Sequence, residues 1–473
     1  MNTKKLFFSI AIPLQFFFLT LNGSSGYEEI EDQNILKINT PSLECRKTAK
    51  IRLTNGLEAY LVSDPGADQS AAALAMHAGS WSDPIEYPGT AHFLEHMLFM
   101  GTKAYPDEFD FFRQVTDNGG STNAYTSVDR TVYMFSVNNG AFPSILDQFA
   151  HFFIDPLFKQ SGINRELLAV DQENDKNLEN DSYREWMVFK ETGNQEHPNA
   201  KFSTGNAATL GNIPQEVLRK WHLENYSADK AHLILYSPLP ISELKKLTVA
   251  CFSDVPLSKT TISEYTQNLT SPSQEGNFIF IKPIKDLRSL NISWELPKKI
   301  VLDLENKIPQ LIAYFLSNKG PNSLYRQLIR EGLIENLYAT TQGIGKENAF
   351  FSVDFDLTSK GISQINTVID RFYQTINSLK LSGFPSYVFD EMHKMIEISY
   401  QFQSRTPAFG FVSGIASHII DEPIETYPQK TLLSSSFDAE KTQKFIELLS
   451  PKTCIFFMKG PSDLVGITPD KKE

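Results

Sequence analysis

The chain has 473 residues, of which 41% are hydrophobic and 21% charged, a globular composition long enough for two or three domains. Its formal net charge of -12, with no cluster of Lys and Arg, speaks against a nucleic-acid partner, because phosphate binding needs such clusters. Cys45, Cys251 and Cys454 stand alone in the sequence, which suggests neither a disulfide framework nor a Cys-based zinc site; they read as buried thiols.

The first 26 residues have the form of an export signal. Lys4 and Lys5 precede an apolar run from Leu6 to Leu21, and Asn22 to Gly26 form a small, polar stretch suited to cleavage. Pro13 and Gln15 interrupt the run, which falls short of the roughly 20 apolar residues of a membrane span. An exported body, periplasmic or secreted and without a stable membrane anchor, is therefore expected.

A first domain is expected over residues 45–260. It opens with strands over 50–53, 58–62 and 71–76, the first two joined by an Asn55-Gly56 hairpin turn. Helical patterns follow over 89–99, 107–118, 140–153 and 164–180, with strands over 131–137 and 232–236. Between Ser258 and Gly276 the chain turns polar and reads as a linker. The plan then restarts in a second domain over 277–465. Strands over 278–281 and 290–294 precede helices over 307–317 and 324–331, strands over 337–342 and 350–357, and helices over 361–381 and 386–402. This is the pattern of a divergent second copy of the first domain.

The chemistry concentrates on the helix over 89–99. His92 and His96 lie four residues apart, one turn along a single face, where two imidazoles can reach one metal ion. Glu95 sits beside them, placed to take a proton from water whose pKa zinc has lowered towards about 7. This order, His92-Phe93-Leu94-Glu95-His96, is the inverted zinc-protease motif. A catalytic zinc site needs a third protein ligand. Glu166 and Glu173, seven residues apart, share one helical face, so that one could bind zinc while the other orients a ligand. The plainer readings are two half-buried histidines and a solvated acidic face. Asn123 to Ser127 reads as a strand whose exposed edge could pair with an extended peptide, the plainer reading being a structural strand.

The stretch from His92 through Met97-Leu98-Phe99-Met100-Gly101-Thr102-Lys103 resembles the active-site helix of the insulin-degrading enzyme and pitrilysin family. Ser121-Thr122-Asn123-Ala124-Tyr125-Thr126-Ser127 resembles the family's next motif, an edge strand that pairs with substrate. Arg165-Glu166 through Val170-Asp171-Gln172-Glu173 resembles its third-ligand helix. Thr192-Gly193-Asn194 and Lys201-Phe202-Ser203-Thr204-Gly205-Asn206 continue the match. The resemblance runs from about Cys45 to Pro451 and carries no catalytic motif in the second domain. There, Gly320 to Leu324 and the strand over 337–342 look like the region that grips a substrate's N-terminal part.

The resemblance implies an α+β fold of two related α/β-sandwich domains, of the mitochondrial-processing-peptidase and pitrilysin type. It implies one Zn2+ per chain held by His92, His96 and Glu173, with Glu166 as the supporting carboxylate and Glu95 as the base. Asn123, Ala124, Tyr125 and Thr126 would bind substrate. The implied activity is that of a zinc metalloendopeptidase hydrolysing peptides or small unfolded polypeptides. A secretory leader on this family type points to the bacterial envelope. Members of the insulin-degrading type have about twice this length, and their second half supplies an Arg and a Tyr to the oxyanion, for which this chain shows no equivalent. Losing one such donor typically costs about a hundredfold or more in rate. A separate C-terminal-half chain or a homo-oligomer would supply the missing half; the alternative is a non-catalytic or weakly active zinc-binding subunit.

Overall fold

The computed structural model describes residues 26–258, 261, 265 and 267–461. The expected export signal up to Ser25, six positions of the expected linker (259–260, 262–264 and 266) and the last four of the expected second domain (462–465) lie outside them.

Two sheets organise the chain. The first contains β1 (Tyr27–Ile30), β2 (Lys47–Leu53), β3 (Glu58–Ser63), β4 (Gln69–Met76), β5 (Ser121–Thr126), β6 (Thr131–Asn138) and β7 (Ala231–Ser237), in the order β1-β2-β3-β7-β4-β6-β5. The second contains β8 (Phe278–Ile281), β9 (Ser289–Glu295), β10 (Ile334–Gly345), β11 (Asn348–Leu357) and β12 (Ile455–Lys459), in the order β10-β11-β9-β12-β8. Read from β3 and from β8, the two sheets share one plan. The first pair is parallel (β3 with β7, β8 with β12) and every later neighbour is antiparallel, ending on the edges β5 and β10. The duplication expected from the pattern of elements is thus visible in topology.

Helices α1 (Thr90–Leu98), α2 (Asp110–Asp117), α3 (Phe142–Ile154), α4 (Gln160–Asn177), α5 (Asp181–Thr192), α6 (Gln215–Asn225) and α7 (Ile241–Phe252) belong to the first half of the chain. Phe93 and Leu94 of α1, Phe149 and Phe153 of α3, Trp221 of α6 and Phe252 of α7 join Ala72, Leu74, Tyr133 and Phe135 of the sheet in one buried core. In the second half, α8 (Ile308–Leu316), α9 (Leu324–Arg330) and α10 (Ile365–Ser382) pack likewise on β9 and β11 through Ile312, Leu328, Phe372 and Val353. Helix α11 (Tyr387–Gln401) follows. By order in the plan α8 is the counterpart of α1, and its sequence Ile308-Pro309-Gln310-Leu311-Ile312-Ala313-Tyr314-Phe315-Leu316 has no metal-ligating side chain.

The two halves exchange covers. Helix α12 (Ala408–Ala416) and the segment to Tyr427 pack on the far face of the first sheet, against Val62, Ala73, Val132 and Ile234. Phe189 of α5 and Trp81 pack in return with Phe350 and Phe457 on the far face of the second sheet. Ion pairs fasten the first exchange: Arg405 Nη2 lies 2.9 Å from Asp64 Oδ1, and Arg130 Nη2 2.6 Å from Asp421 Oδ1.

Some observed elements depart from the expected ones. The helix expected over 361–381 breaks at Gln364 into Ser359–Ser363 and α10. α5, α6, α7, α12 and β12 were not among the expected elements, and β1 lies ahead of residue 45. Cys251 and Cys454 are buried as expected, but Cys45 is exposed, because it lies in the turn just before the edge-proximal strand β2.

Candidate metal centre

Helix α1 starts abruptly. Gly89 precedes it at φ +96°, and the buried Asp83 carboxylate accepts the N–H groups of Gly89 at 2.7 Å and Ala91 at 2.8 Å, satisfying donors that a helix start leaves open. A Cβ built on Gly89 would lie 2.4 Å from the Cα of Gly205, so the loop containing Gly205 touches the helix start backbone to backbone. Gly89→Ala combines a left-handed φ with this clash and is expected to destabilise the protein by about 2 kcal/mol or more. A thermal melt that matches the wild type would contradict this.

Ala91, Phe93, Leu94, Met97 and Leu98 are buried, which locks the rotation of α1 and turns His92 and His96 to α4. The Oε2 atom of Glu173 lies 3.6 Å from His92 Nε2 and 3.7 Å from His96 Nε2. Two atoms bound to one zinc ion at 2.0–2.1 Å in tetrahedral geometry are about 3.3–3.4 Å apart. The separations found are therefore close to what an ion would require. Among the described residues, His92, His96 and Glu173 form the one group of three or more His, Cys, Asp or Glu whose ligand atoms lie within 4.8 Å of each other. The two carboxylates that share a helical face stand differently: Glu173 faces both Nε2 atoms, whereas Glu166 Oε2 lies 3.3 Å from His96 Nδ1.

The other histidine is held differently. His92 Nδ1 lies 2.7 Å from the Thr204 carbonyl oxygen. A carbonyl only accepts, so Nδ1 carries a proton, and the ring is held with Nε2 turned to Glu173. Burial works against a charge on His96, yet the carboxylates of Glu166 and Glu173 outweigh it and raise its pKa to about 9. Glu173 is held below the usual carboxylate range, chiefly by the His96 imidazole that faces it at 3.7 Å. A donor set of two imidazoles and one carboxylate in such a field suits a divalent cation.

Glu95 is 6% exposed and accepts a hydrogen bond from Thr126 Oγ1 at 2.6 Å. Burial raises its pKa, against the pull of His92, Thr126 and His96, which makes it a stronger base than an exposed carboxylate. The Thr126 hydroxyl is thus committed to Glu95, which leaves its backbone on the strand expected to bind substrate. Thr126→Val removes one charge-assisted hydrogen bond and is expected to lower turnover about tenfold with zinc content unchanged. A variant matching wild-type kcat would contradict that role.

Among the described residues β5 pairs only with β6 and leaves its other edge free. Asn123 is exposed, and Ala124 packs partly on the main core. Tyr125 points to the opposite face, where its hydroxyl donates to Ser417 Oγ at 3.1 Å, so only its backbone is available to a strand lying along the α1 side. A cleft of about 330 Å³ is lined by His92, Thr126 and Glu173, and also by Trp186, Thr204 and Gln342 to Ile344. Gln342 ends the strand expected over 337–342 and Thr204 lies in the resembling stretch 201–206, but no role was expected of Trp186, Gly343 or Ile344: Thr204 acts through a backbone oxygen that any residue carries, and β10 reaches the cleft only through the packing of the two halves.

Residues 59–200 match the family described as insulinase (peptidase family M16), and residues 212–395 match the peptidase M16 inactive domain. The A-factor-processing enzyme of Saccharomyces cerevisiae is 36% identical over 383 residues, covering 80% of this chain and 37% of that protein. The crystal structure of pitrilysin superposes with a TM-score of 0.87 at 30% identity, over 92% of this chain and 46% of the pitrilysin chain. The first half of the periplasmic protease PqqL from Escherichia coli shares the fold, with a TM-score of 0.70 at 16% identity over 91% of this chain and 94% of that one. The chain spans less than half the length of the first curated relatives it matches. Among the described residues no helix is long and apolar enough to cross a membrane. With both family segments matched in order and the two-sheet fold shared with pitrilysin, the chain belongs to peptidase family M16, of which it forms one half-length unit.

Proposed function

We propose that the chain is a zinc metalloendopeptidase unit acting on peptides or small unfolded polypeptides. His92, His96 and Glu173 hold one Zn2+, Glu166 orients His96, and Glu95 is the base. The observation that carries this reading is the convergence of both Nε2 atoms on Glu173 Oε2 at 3.6 and 3.7 Å, beside the buried Glu95 carboxylate.

Zinc in this position would supply Lewis acidity, lowering the pKa of water and polarising a carbonyl. The free edge of β5, from Asn123 to Thr126, pairs with an extended peptide through backbone hydrogen bonds. Glu95 takes the proton from the attacking water and returns it to the departing amine nitrogen. Thr126 keeps the Glu95 carboxylate turned to that water. Gln342 to Ile344 of β10 also line the cleft and limit what can enter it.

Relatives of about twice the length support a further part of the proposal, that a separate C-terminal-half chain or a second copy completes the enzyme. The same length difference favours the second reading, a zinc-binding unit that is weakly active or non-catalytic by itself. Export to the periplasm, or secretion, is proposed from the leader-like residues 1–26 and supported by likeness to a periplasmic protease. Cleavage of a quenched fluorescent peptide by the purified chain, with and without a chelator, separates the readings. Chelator-sensitive cleavage supports a peptidase active as it stands; bound zinc without cleavage supports the second reading.

A further inference from the structure

We infer that Lys190 is a positioning residue for the metal centre: its buried ammonium fixes the loop over 201–204, so that the Thr204 carbonyl holds His92 with Nε2 turned to Glu173. The inference rests on the proposed role of His92 as a zinc ligand.

The two histidines are oriented by unlike partners. His96 leans on a side chain of α4, Glu166, whereas His92 leans on one backbone oxygen, that of Thr204. That oxygen lies in irregular chain between the short helices Pro198–Ala200 and Ala207–Leu210. A carbonyl in such a segment orients a ligand only as well as the segment itself is held.

The holding groups come from α5. Lys190 Nζ donates to the Lys201 carbonyl at 2.9 Å and to Ser203 Oγ at 2.8 Å. Tyr183, seven residues earlier and so on the same helical face, shares a hydrogen bond of 3.0 Å with Thr204 Oγ1. Residues 201, 203 and 204 are each gripped by one of these two side chains.

Lys190 is 3% exposed, and among the described residues no carboxylate oxygen lies within ion-pair distance of it. Burying an ammonium without such a partner costs several kcal/mol unless hydrogen bonds satisfy it, and here the satisfying acceptors are the loop atoms themselves. Burial lowers its pKa to about 8, with Asp83 opposing the shift. Asp83 is the carboxylate that caps α1, so the cation faces the helix start that its loop touches. An apolar side chain would fill the space equally well; a cation with three donors is what can tie two loop positions at once.

The test compares the full-length wild type with Lys190→Met, which keeps the length and loses the donors, and with Lys190→Arg. Zinc dissociation constants are measured by competition with a chromophoric chelator, and long-range 15N–1H spectra report the His92 tautomer. Lys190→Met is expected to bind zinc about 10- to 100-fold more weakly and to lose the single Nδ1–H form of His92, with Lys190→Arg recovering most of the affinity. A folded Lys190→Met protein with zinc affinity within twofold of wild type and an unchanged His92 spectrum overturns the inference alone. A wild type that binds no zinc sinks the proposed metal centre and the inference with it. Should Lys190→Met not fold, Ser203→Ala removes one of the two acceptors without opening a large cavity. Its zinc affinity is then expected to fall about 3- to 10-fold, the worth of one hydrogen bond, and no change would overturn the inference.

Discussion

Replacing Glu95 with Gln is expected to leave zinc in place and to lower kcat by about a thousandfold, within the range found for loss of a general base. The amide has nearly the shape of the carboxylate, so it fits the same buried position, and its oxygen still accepts from Thr126 Oγ1. It cannot take a proton. Zinc stays because Glu95 is outside the group formed by His92, His96 and Glu173. KM should change little, since the role assigned to Glu95 begins only as the bond to water forms. Steady-state kinetics with metal content determined on the same sample checks this, and turnover within tenfold of wild type would remove Glu95 from the mechanism.

His92→Ala is expected to lose both metal and activity. Zinc binding by four protein ligands contributes about 10–16 kcal/mol in small domains, so one ligand is worth roughly 3 kcal/mol, about 150-fold in affinity. The substitution also frees the Thr204 carbonyl and leaves Glu173 and Glu166 facing His96 alone. Metal content after gel filtration gives the answer directly. A His92→Ala protein that retains stoichiometric zinc would show that the ion sits elsewhere. The contrast between the two variants separates a residue that holds metal from one that moves a proton.

Much of this site was legible in the sequence because a helix repeats at a known interval. Spacings of four and seven residues put His92 beside His96 and Glu166 on the face of Glu173. The resemblance then supplied the roles that are proposed for them, and Glu173 Oε2 lies 3.6 and 3.7 Å from the two Nε2 atoms. What spacing could not reveal were contacts made through the backbone or across the two halves. Thr204 contributes a carbonyl, and Gln342 to Ile344 arrive from a strand more than 160 residues beyond Glu173. The bond from the Thr126 hydroxyl to Glu95 was likewise not legible from the strand pattern.

The fold shows the same division. The strands and helices around α1 follow from alternation and helical period, and the repeat of the plan in the second half was legible from element order. α12 was not, because Ala408-Phe409-Gly410-Phe411-Val412-Ser413-Gly414-Ile415-Ala416 is nearly all apolar or small and shows no polar face from which to read a period. Its lack of polarity makes sense only once the far face of the first sheet is seen beneath it. β1 escaped notice for the opposite reason: Tyr27-Glu28-Glu29-Ile30 is a short, charged edge strand, polar enough to pass for loop.

The most direct test of the metal centre is the zinc content of the purified full-length chain by inductively coupled plasma mass spectrometry. One zinc per chain, removed by a chelator, is the predicted result; a chain without bound zinc after purification and zinc replenishment would contradict the account.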